Sequence, residues 1–261
     1  MSMRNILIFS FLAIFMLSAC RTVPMTSRRQ FLLSSEAQEN ALGAAVFEEF
    51  KAEHPVSRDK NMVQILNRVG LAISDAANKP DYDWEFVLLD SETANAFCLP
   101  GGKVAVYSGI LPFMSNEAEL ATVVAHEVAH AVARHSGERM SWAKVQQIGL
   151  LGLRGAGASS AWETLYGAGT ELGFMLPFSR KHEYEADSIG MILMAKAGYN
   201  PNAAIMFWQK FSAGEDASAI QKWVSTHPTG VDRINNMEQL LPQAMQEYQQ
   251  AAQKRGLGVK W

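Results

Sequence analysis

The sequence lacks the features that mark nucleic-acid-binding and membrane-spanning proteins. Its formal net charge is only −3 in 261 residues, and no stretch combines a basic patch with interleaved aromatic residues, so nucleic acid is excluded as a partner. No apolar run is long enough to span a membrane, because the run at 6–17 is short and Arg154, Glu163 and Glu171 interrupt residues 144–178. A hydrophobic content of 48% predicts one globular domain with a sizeable core.

The first residues resemble a cleaved leader. Arg4 precedes the apolar run at 6–17, and Leu17-Ser18-Ala19-Cys20 is similar to a bacterial lipobox. Cleavage before Cys20 would leave a lipidated N-terminal cysteine, and an uncleaved signal anchor is the alternative. The predicted divisions of the chain are a lipoprotein signal peptide at 1–19, a polar tether at 20–34 and the folded domain at 35–261.

This leader predicts a location for the protein. A lipid on Cys20 would anchor the chain at the periplasmic face of a bacterial cell envelope. Arg21, rather than an Asp, follows the cysteine, and this favours the outer membrane. With Cys20 lipidated, Cys98 has no partner for an intramolecular disulfide and is expected to be a small buried apolar residue.

One stretch, residues 117–136, carries the pattern of a metal site. It contains His126-Glu127-Val128-Ala129-His130, and positions i and i+4 of a helix lie on the same face. Both imidazoles can therefore reach one Zn²⁺, with Glu127 beside the metal. An accidental occurrence of the motif on a core helix is the alternative.

The same stretch is predicted to form a buried helix. Asn116 followed by Glu119 gives a start similar to a capping box, and Gly137 is a natural C-terminal stop. Most of the helix surface between them is apolar. Two histidines and a glutamate are costly to bury without partners, and this favours the metal-binding interpretation.

The third ligand decides the class of zinc site. Metzincins need Gly at 133 and His at 136, and neither is present; His135 lies one residue off that register. A second predicted helix offers Glu183 and Asp187, which are spaced i, i+4 and share a face, while Glu185 points elsewhere. One of the pair can bind zinc and the other can orient a ligand histidine, and spacing alone does not choose between them.

Four motifs in order resemble the gluzincins of the HtpX, BepA and CaaX-prenyl-protease type. They are NAFCLPGGKVAVYSG, HEVAH, EYEAD and STHPTGVDRI, within a resemblance that extends from about Ser35 to about Leu241. The resemblance implies a zinc metallopeptidase domain with one Zn²⁺ per chain, Glu183 as the third ligand and Asp187 as the residue that orients a ligand histidine. The expected fold class is α+β and mostly helical: a zincin-type core with a small sheet beside the HExxH helix and a second helix that supplies the third ligand.

The predicted function is the hydrolysis of peptide bonds by a zinc-dependent endopeptidase. Three ligands leave a position for water, and Glu127 can act as general base and then as general acid. The resemblance implies misfolded or misassembled cell-envelope proteins as substrates, whereas CaaX-type activity is not expected without spanning helices. A periplasmic chaperone or assembly factor with a regulatory or vestigial zinc site is the alternative, and the intact Glu127 argues against it.

A small sheet is predicted directly before the zinc helix. Residues 84–89, 94–99 and 103–108 have the composition of strands, with a turn at 100–102. An edge strand in this place can pair with an extended peptide substrate. Asn95 and Ala96 are the candidate substrate-binding positions, and a purely structural hairpin is the alternative.

His227 is a further candidate at the zinc site, because His227-Pro228 and Arg233 match a downstream motif of the resembling family. As a hydrogen-bond donor to the developing oxyanion, His227 would assist catalysis. As a fourth zinc ligand, it would keep the protease latent until a lid moves, and a structural loop histidine is the third possibility. That lid is predicted at 144–178, with contact to a membrane surface as its alternative, and two short helices at 237–240 and 242–253 are predicted to close the fold.

Overall fold

Helices dominate the chain, and two small sheets accompany them. The computed structural model describes residues 19–154, 179–212, 223, 225–227 and 231–257. The helices are α1 Glu36–Glu53, α2 Lys60–Ala77, α3 Glu117–Val132, α4 His135–Arg154, α5 Arg180–Lys196, α6 Asn202–Ser212 and α7 Val231–Gln250. The strands are β1 Cys20–Thr22, β2 Arg29–Phe31, β3 Glu85–Leu89, β4 Ala96–Leu99 and β5 Lys103–Tyr107, with a 3₁₀ helix at Ser108–Phe113.

This architecture confirms the predicted class, α+β and mostly helical. In the part of the chain that the structure describes, no helix combines the length and the apolar character that crossing a bilayer requires. Most of the predicted lid, residues 155–178, and residues 1–18 of the predicted signal peptide lie outside the described residues.

The three-stranded sheet forms where the sequence predicts it. Its order is β3-β5-β4, with β3 parallel and β4 antiparallel to β5. Gly101 and Gly102 make the turn before β5 with φ of 82° and 85°, a conformation that favours glycine. Strand β4 is an edge of this sheet and packs against α3, so a strand edge lies beside the HExxH helix.

Helix α3 begins at the predicted residue and ends earlier than predicted. The Asn116 side chain accepts a hydrogen bond from the Glu119 amide at 3.0 Å. The prediction of a stop at Gly137 is wrong, because α3 ends at Val132 and Gly137 lies inside α4.

Arg134 and Glu39 explain this early end. Arg134 adopts a φ of 56°, and its guanidinium donates to both carboxylate oxygens of Glu39 at 2.9 Å. The same carboxylate fills the space where a side chain of residue 137 would lie, since a Cβ on Gly137 would sit 2.3 Å from Glu39 Oε1. Glycine at 137 therefore leaves space for the Glu39 carboxylate, and the ion pair between Arg134 and Glu39 stabilises the turn at Arg134.

Close packing of α5 on α3 positions the second half of the site. Gly190 of α5 lies against the α3 backbone, where an added Cβ would be 3.1 Å from the backbone nitrogen of His126. Asp187 and Glu183 lie about one and two turns earlier on α5, and both are buried. The contact at Gly190 therefore brings these carboxylates to the histidines of α3.

The two ends of the described chain differ from simple expectation. Within the range predicted as a tether, β1 and β2 form an antiparallel pair, and Val23 between them is buried. At the other end, the prediction of two short helices is wrong, because α7 runs unbroken through Pro242. Proline removes one hydrogen bond of the helix, but Met237 and Ala244 on either side of it are buried, so both halves of α7 are anchored by packing.

Candidate metal centre

Four buried side chains from three parts of the chain converge on one point. Nε2 of His126 lies 3.2 Å from Nε2 of His130 and 3.4 Å from Nδ1 of His227. Oε1 of Glu183 lies 3.2 Å from the same His227 nitrogen and 3.4 Å from His130 Nε2. Each of the four side chains is at most 2% exposed.

The four ligand atoms are close enough together for one zinc ion to bind them all. Zinc binds imidazole nitrogen and carboxylate oxygen at about 2.0–2.1 Å, and the edge of a tetrahedron is about 1.6 times the bond length, so ligand atoms should lie about 3.3–3.4 Å apart. Four of the six separations between these atoms fall between 3.2 and 3.4 Å, and all four atoms lie within 4.8 Å of one another. A donor set of three imidazoles and one carboxylate is also of the kind that zinc prefers.

Asp187 and Arg233 form the layer behind His126 and Glu183. Asp187 Oδ1 lies 3.0 Å from Nδ1 of His126, which leaves Nε2 directed at the centre. Arg233 donates two hydrogen bonds of 2.7 Å to the Asp187 carboxylate, and its Nη1 lies 3.0 Å from Glu183 Oε2. One guanidinium thus fixes both carboxylates that α5 presents.

The electrostatics of the centre favour a positive charge. Burial disfavours the imidazolium form of His126, yet the nearby carboxylates of Asp187 and Glu183 outweigh this effect and raise the pKa of His126 to about 9. Burial works against the Glu183 carboxylate, but the charge of His227 and hydrogen bonds from three histidines hold the pKa of Glu183 well below its usual range. A centre that draws a proton onto a buried histidine would also attract a metal cation.

Glu127 lies at the same centre without being one of the four converging residues. It is 1% exposed, and its Oε1 is 3.5 Å from Nε2 of His227. Burial raises the pKa of Glu127, and the nearby histidines and the backbone of Cys98 in β4 only partly oppose this. A carboxylate with a raised pKa is a stronger base, which suits a group that must accept a proton.

Aromatic rings hold His227 in place. The ring of Trp223 stacks on His227 with centroids 4.3 Å apart and an interplanar angle of 22°. Trp208 lies edge to face with His126 at 5.5 Å, and the Arg233 guanidinium lies over its ring at 4.9 Å. Trp208 belongs to α6 and Arg233 to α7, so both helices contact residues of the centre.

The centre gathers most of the residues predicted from the sequence. The predicted residues that meet there are His126, Glu127, His130, Glu183, Asp187 and His227. Ala96 opens the edge strand β4 and Asn95 directly precedes it, while Cys20 is the first residue of β1. Sequence reasoning assigned no role to Arg233, and it set aside His135 and Glu185. In the structure, Nδ1 of His135 lies 2.8 Å from Nδ1 of His130, and Oε2 of Glu185 lies 2.9 Å from Nε2 of His135.

Comparison with known sequences agrees with this geometry. The sequence profile of peptidase family M48 matches residues 59–241, which include the four converging residues and the sheet. The chain belongs to peptidase family M48. The predicted recognition, the metallopeptidase class and zinc as the cofactor are confirmed by this membership and by the cluster itself.

Several M48 relatives match most of the chain. Mitochondrial metalloendopeptidase OMA1 of Schizosaccharomyces pombe is 36% identical over 232 residues, which cover 85% of this chain and 66% of the relative. The protein of the same name from Saccharomyces cerevisiae is 32% identical and covers 94% of this chain and 76% of the relative. The beta-barrel assembly-enhancing protease of Escherichia coli is 29% identical, and the match covers 86% of this chain and 49% of that protein.

The predicted location at the periplasmic face of a bacterial envelope is wrong when it is set against these M48 relatives. The two fungal proteins and the human one are named as mitochondrial enzymes. The prediction depended on a short motif at 17–20, and a positive residue before an apolar run does not by itself identify a compartment. The lipid on Cys20 and the signal peptide stay predictions.

Proposed function

We propose that this M48 protein is an endopeptidase that cleaves extended segments of other polypeptides at the centre formed by α3 and α5. The observation that carries the proposal is the convergence of four buried ligand atoms, all within 4.8 Å of one another, with a buried glutamate beside them. A site that served only structure would need the ligands but not the general base.

Each residue has a role in this proposal. His126, His130 and Glu183 would hold the zinc ion, which supplies Lewis acidity toward a peptide carbonyl and lowers the pKa of water. Glu127 would take a proton from the attacking water on its carboxylate and return it to the leaving nitrogen. Asp187 would accept the Nδ1 proton of His126 and so keep the Nε2 lone pair directed at the metal.

We propose that the edge of β4 holds the substrate. Among the described residues, β4 pairs with β5 only, and an extended peptide could add to its other edge. Asn95, which is 1% exposed, has a side-chain oxygen without a hydrogen-bond partner in the described part of the chain. Ala96 lies opposite Val106 in the ladder and is the first residue of β4, so it would be the first position to pair with a substrate strand.

Backbone pairing at a strand edge reads extended conformation rather than sequence, and this suggests the class of substrate. Polypeptides that have failed to fold or assemble expose such segments, whereas folded proteins hide them. The name of the Escherichia coli relative, a beta-barrel assembly-enhancing protease, accords with substrates of this kind. We therefore propose misfolded or misassembled proteins as the substrates.

We also propose that His227 is a fourth zinc ligand that keeps the protease latent. Its Nδ1 occupies the fourth corner of the ligand set, at 3.4 Å from His126 and 3.2 Å from Glu183. Water and substrate would need that corner, so His227 must withdraw before hydrolysis begins. An oxyanion donor would instead lie beyond the reacting carbonyl and leave the corner open.

Two experiments test these proposals. Cleavage of an unfolded polypeptide such as reduced casein should stop when a chelator removes the metal and should return when Zn²⁺ is restored; cleavage that persists without metal would overturn the proposed function. For His227→Ala, measured at matched zinc content, the latch predicts faster cleavage. A fall of about 10²–10³ in kcat would show instead that His227 is an oxyanion donor.

A further inference from the structure

A chain of buried side chains runs from His130 away from the metal centre. Nδ1 of His130 lies 2.8 Å from Nδ1 of His135, the first residue of α4. Nε2 of His135 lies 2.9 Å from Oε2 of Glu185. This series of contacts ends at Arg28, whose Nε donates to the same Glu185 oxygen at 2.6 Å. His135 is fully buried, and the Arg28 side chain is only 12% exposed.

The donor and acceptor rules give this chain a direction. An ionised carboxylate only accepts, so His135 must carry its proton on Nε2 and donate it to Glu185. The Nδ1 of a neutral His135 is then an acceptor, and His130 must donate its own Nδ1 proton to it. The Nε2 lone pair of His130 is thereby directed at the centre, in the one tautomer that can bind a metal.

The N-terminal turn holds the far end of the chain. Arg28 donates to Glu138 Oε1 in α4 at 3.1 Å and to Glu185 in α5, and its Nη2 lies 2.7 Å from Glu138 Oε2. The Thr26 hydroxyl donates to the other oxygen of Glu185. Thr26 and Arg28 of this turn thus link α4 to α5 next to His135.

The backbone has positive φ at non-glycine residues beside both ends of this series of contacts. Non-glycine residues with positive φ in the described ranges include Met25 at 69°, Ser27 at 58° and Arg134 at 56°. Met25 and Ser27 flank Thr26, and Arg134 directly precedes His135. Such conformations are costly for residues with a Cβ and persist where surrounding contacts require them.

We propose that His135, Glu185 and Arg28 are positioning residues for the zinc ligand His130, so that the N-terminal turn at 23–28 is a working part of the metal centre. Residues behind a ligand histidine set its tautomer and its ring orientation. His126 receives this support from Asp187, and His130 receives it through a longer chain that ends in a separate part of the sequence. The proposal depends on zinc binding at this centre, which is part of the proposed function, but not on proteolysis.

The test measures zinc affinity in the full chain by competition with a chromophoric chelator. His135→Leu should weaken zinc binding by about 10- to 100-fold. His135→Asn places an amide oxygen near the position of Nδ1 and should restore most of the affinity. Arg28→Ala should weaken binding less, by roughly three- to tenfold, because three contacts separate it from His130. Arg29→Ala, an exposed neighbour with the same loss of charge, is the matched control and should bind as the wild type does.

Cobalt gives a second readout that does not depend on activity. The visible spectrum of the Co²⁺-loaded protein reports ligand orientation, and we expect it to change in His135→Leu and Arg28→Ala but not in Arg29→Ala. Wild-type affinity in both His135→Leu and Arg28→Ala would overturn the positioning proposal and leave the proposed function intact. A wild type that binds no zinc would overturn both. If His135→Leu does not fold, the pair Arg28→Ala and Arg29→Ala decides, and equal affinities in that pair would refute the proposal.

Discussion

Asp187 offers the sharpest test of how the layer behind the ligands works. Its buried carboxylate makes two hydrogen bonds of 2.7 Å with Arg233 and lies 3.0 Å from Nδ1 of His126. Asp187→Ala removes all three contacts, whereas Asp187→Asn keeps an oxygen for His126 and loses the charge opposite Arg233. The two substitutions therefore separate the orientation of a ligand from the neutralisation of a guanidinium.

The expected magnitudes follow from these contacts. Breaking one partner of a buried, hydrogen-bonded ion pair costs about 3–5 kcal/mol of folding stability, and both variants lose the charge that faces Arg233. Losing the partner of a ligand histidine weakens metal binding by about 10- to 100-fold, and only Asp187→Ala loses that oxygen. We expect both variants to be destabilised, and zinc affinity to fall much further in Asp187→Ala than in Asp187→Asn.

The assay combines urea denaturation of the metal-free protein with zinc competition. Asp75→Asn, an exposed change of the same kind on α2, is the matched control and should alter neither quantity. The reasoning would be refuted by an Asp187→Ala protein that binds zinc within about twofold of the wild type, since ligand orientation is expected to cost at least tenfold.

Four further outcomes are expected. Gly190→Ala should lower the free energy of unfolding by about 1–3 kcal/mol, because the new Cβ would lie 3.1 Å from the backbone nitrogen of His126. An unchanged urea midpoint would contradict that packing. Chelation of the metal should lower Tm, because zinc binds only the folded centre, and equal Tm values with and without metal would contradict this. Asn95→Ala should raise KM roughly five- to tenfold through the loss of about 1 kcal/mol of hydrogen bonding to substrate, and an unchanged KM would remove Asn95 from the substrate edge. Burial alone would raise the pKa of Glu138, but His182 and Arg28 outweigh it and lower that pKa to about 2 from an ordinary 4.5, so the contribution of Glu138 to stability is present above pH 4.5 and is lost as pH falls toward 2. The difference in unfolding free energy between wild type and Glu138→Gln should accordingly narrow over that range, and a constant difference would count against the pairing.

The ligand helix could be predicted because its chemistry is local. The i, i+4 spacing of His126 and His130 fixes their common face from the sequence alone. The carboxylates on α5 were harder, since Glu183 and Asp187 satisfy the same spacing rule. The choice between them depends on how far α5 advances along α3, and that is set by the contact at Gly190.

The supporting residues could not be found from local patterns. The link from His130 through His135 to Glu185 joins α3, α4 and α5, and it is completed by Arg28 from the N-terminal turn. A histidine one register away from a known motif suggests a residue distant from the metal, yet the chain turns at Arg134 and brings His135 back to His130. Positive φ at an arginine has no signal in sequence, because it depends on the distant ion pair with Glu39.

Glu127→Gln tests the central claim most directly, with zinc content and peptide cleavage measured on the same preparations. Glutamine keeps the size of the side chain and removes the base, while His126, His130 and Glu183 remain to hold the metal. We predict one zinc per chain in both proteins and a loss of about 10²–10⁴ in kcat for the variant, the contribution of general acid–base catalysis. A Glu127→Gln protein that keeps its zinc and cleaves at the wild-type rate would contradict the account, because the buried glutamate would then have no part in hydrolysis.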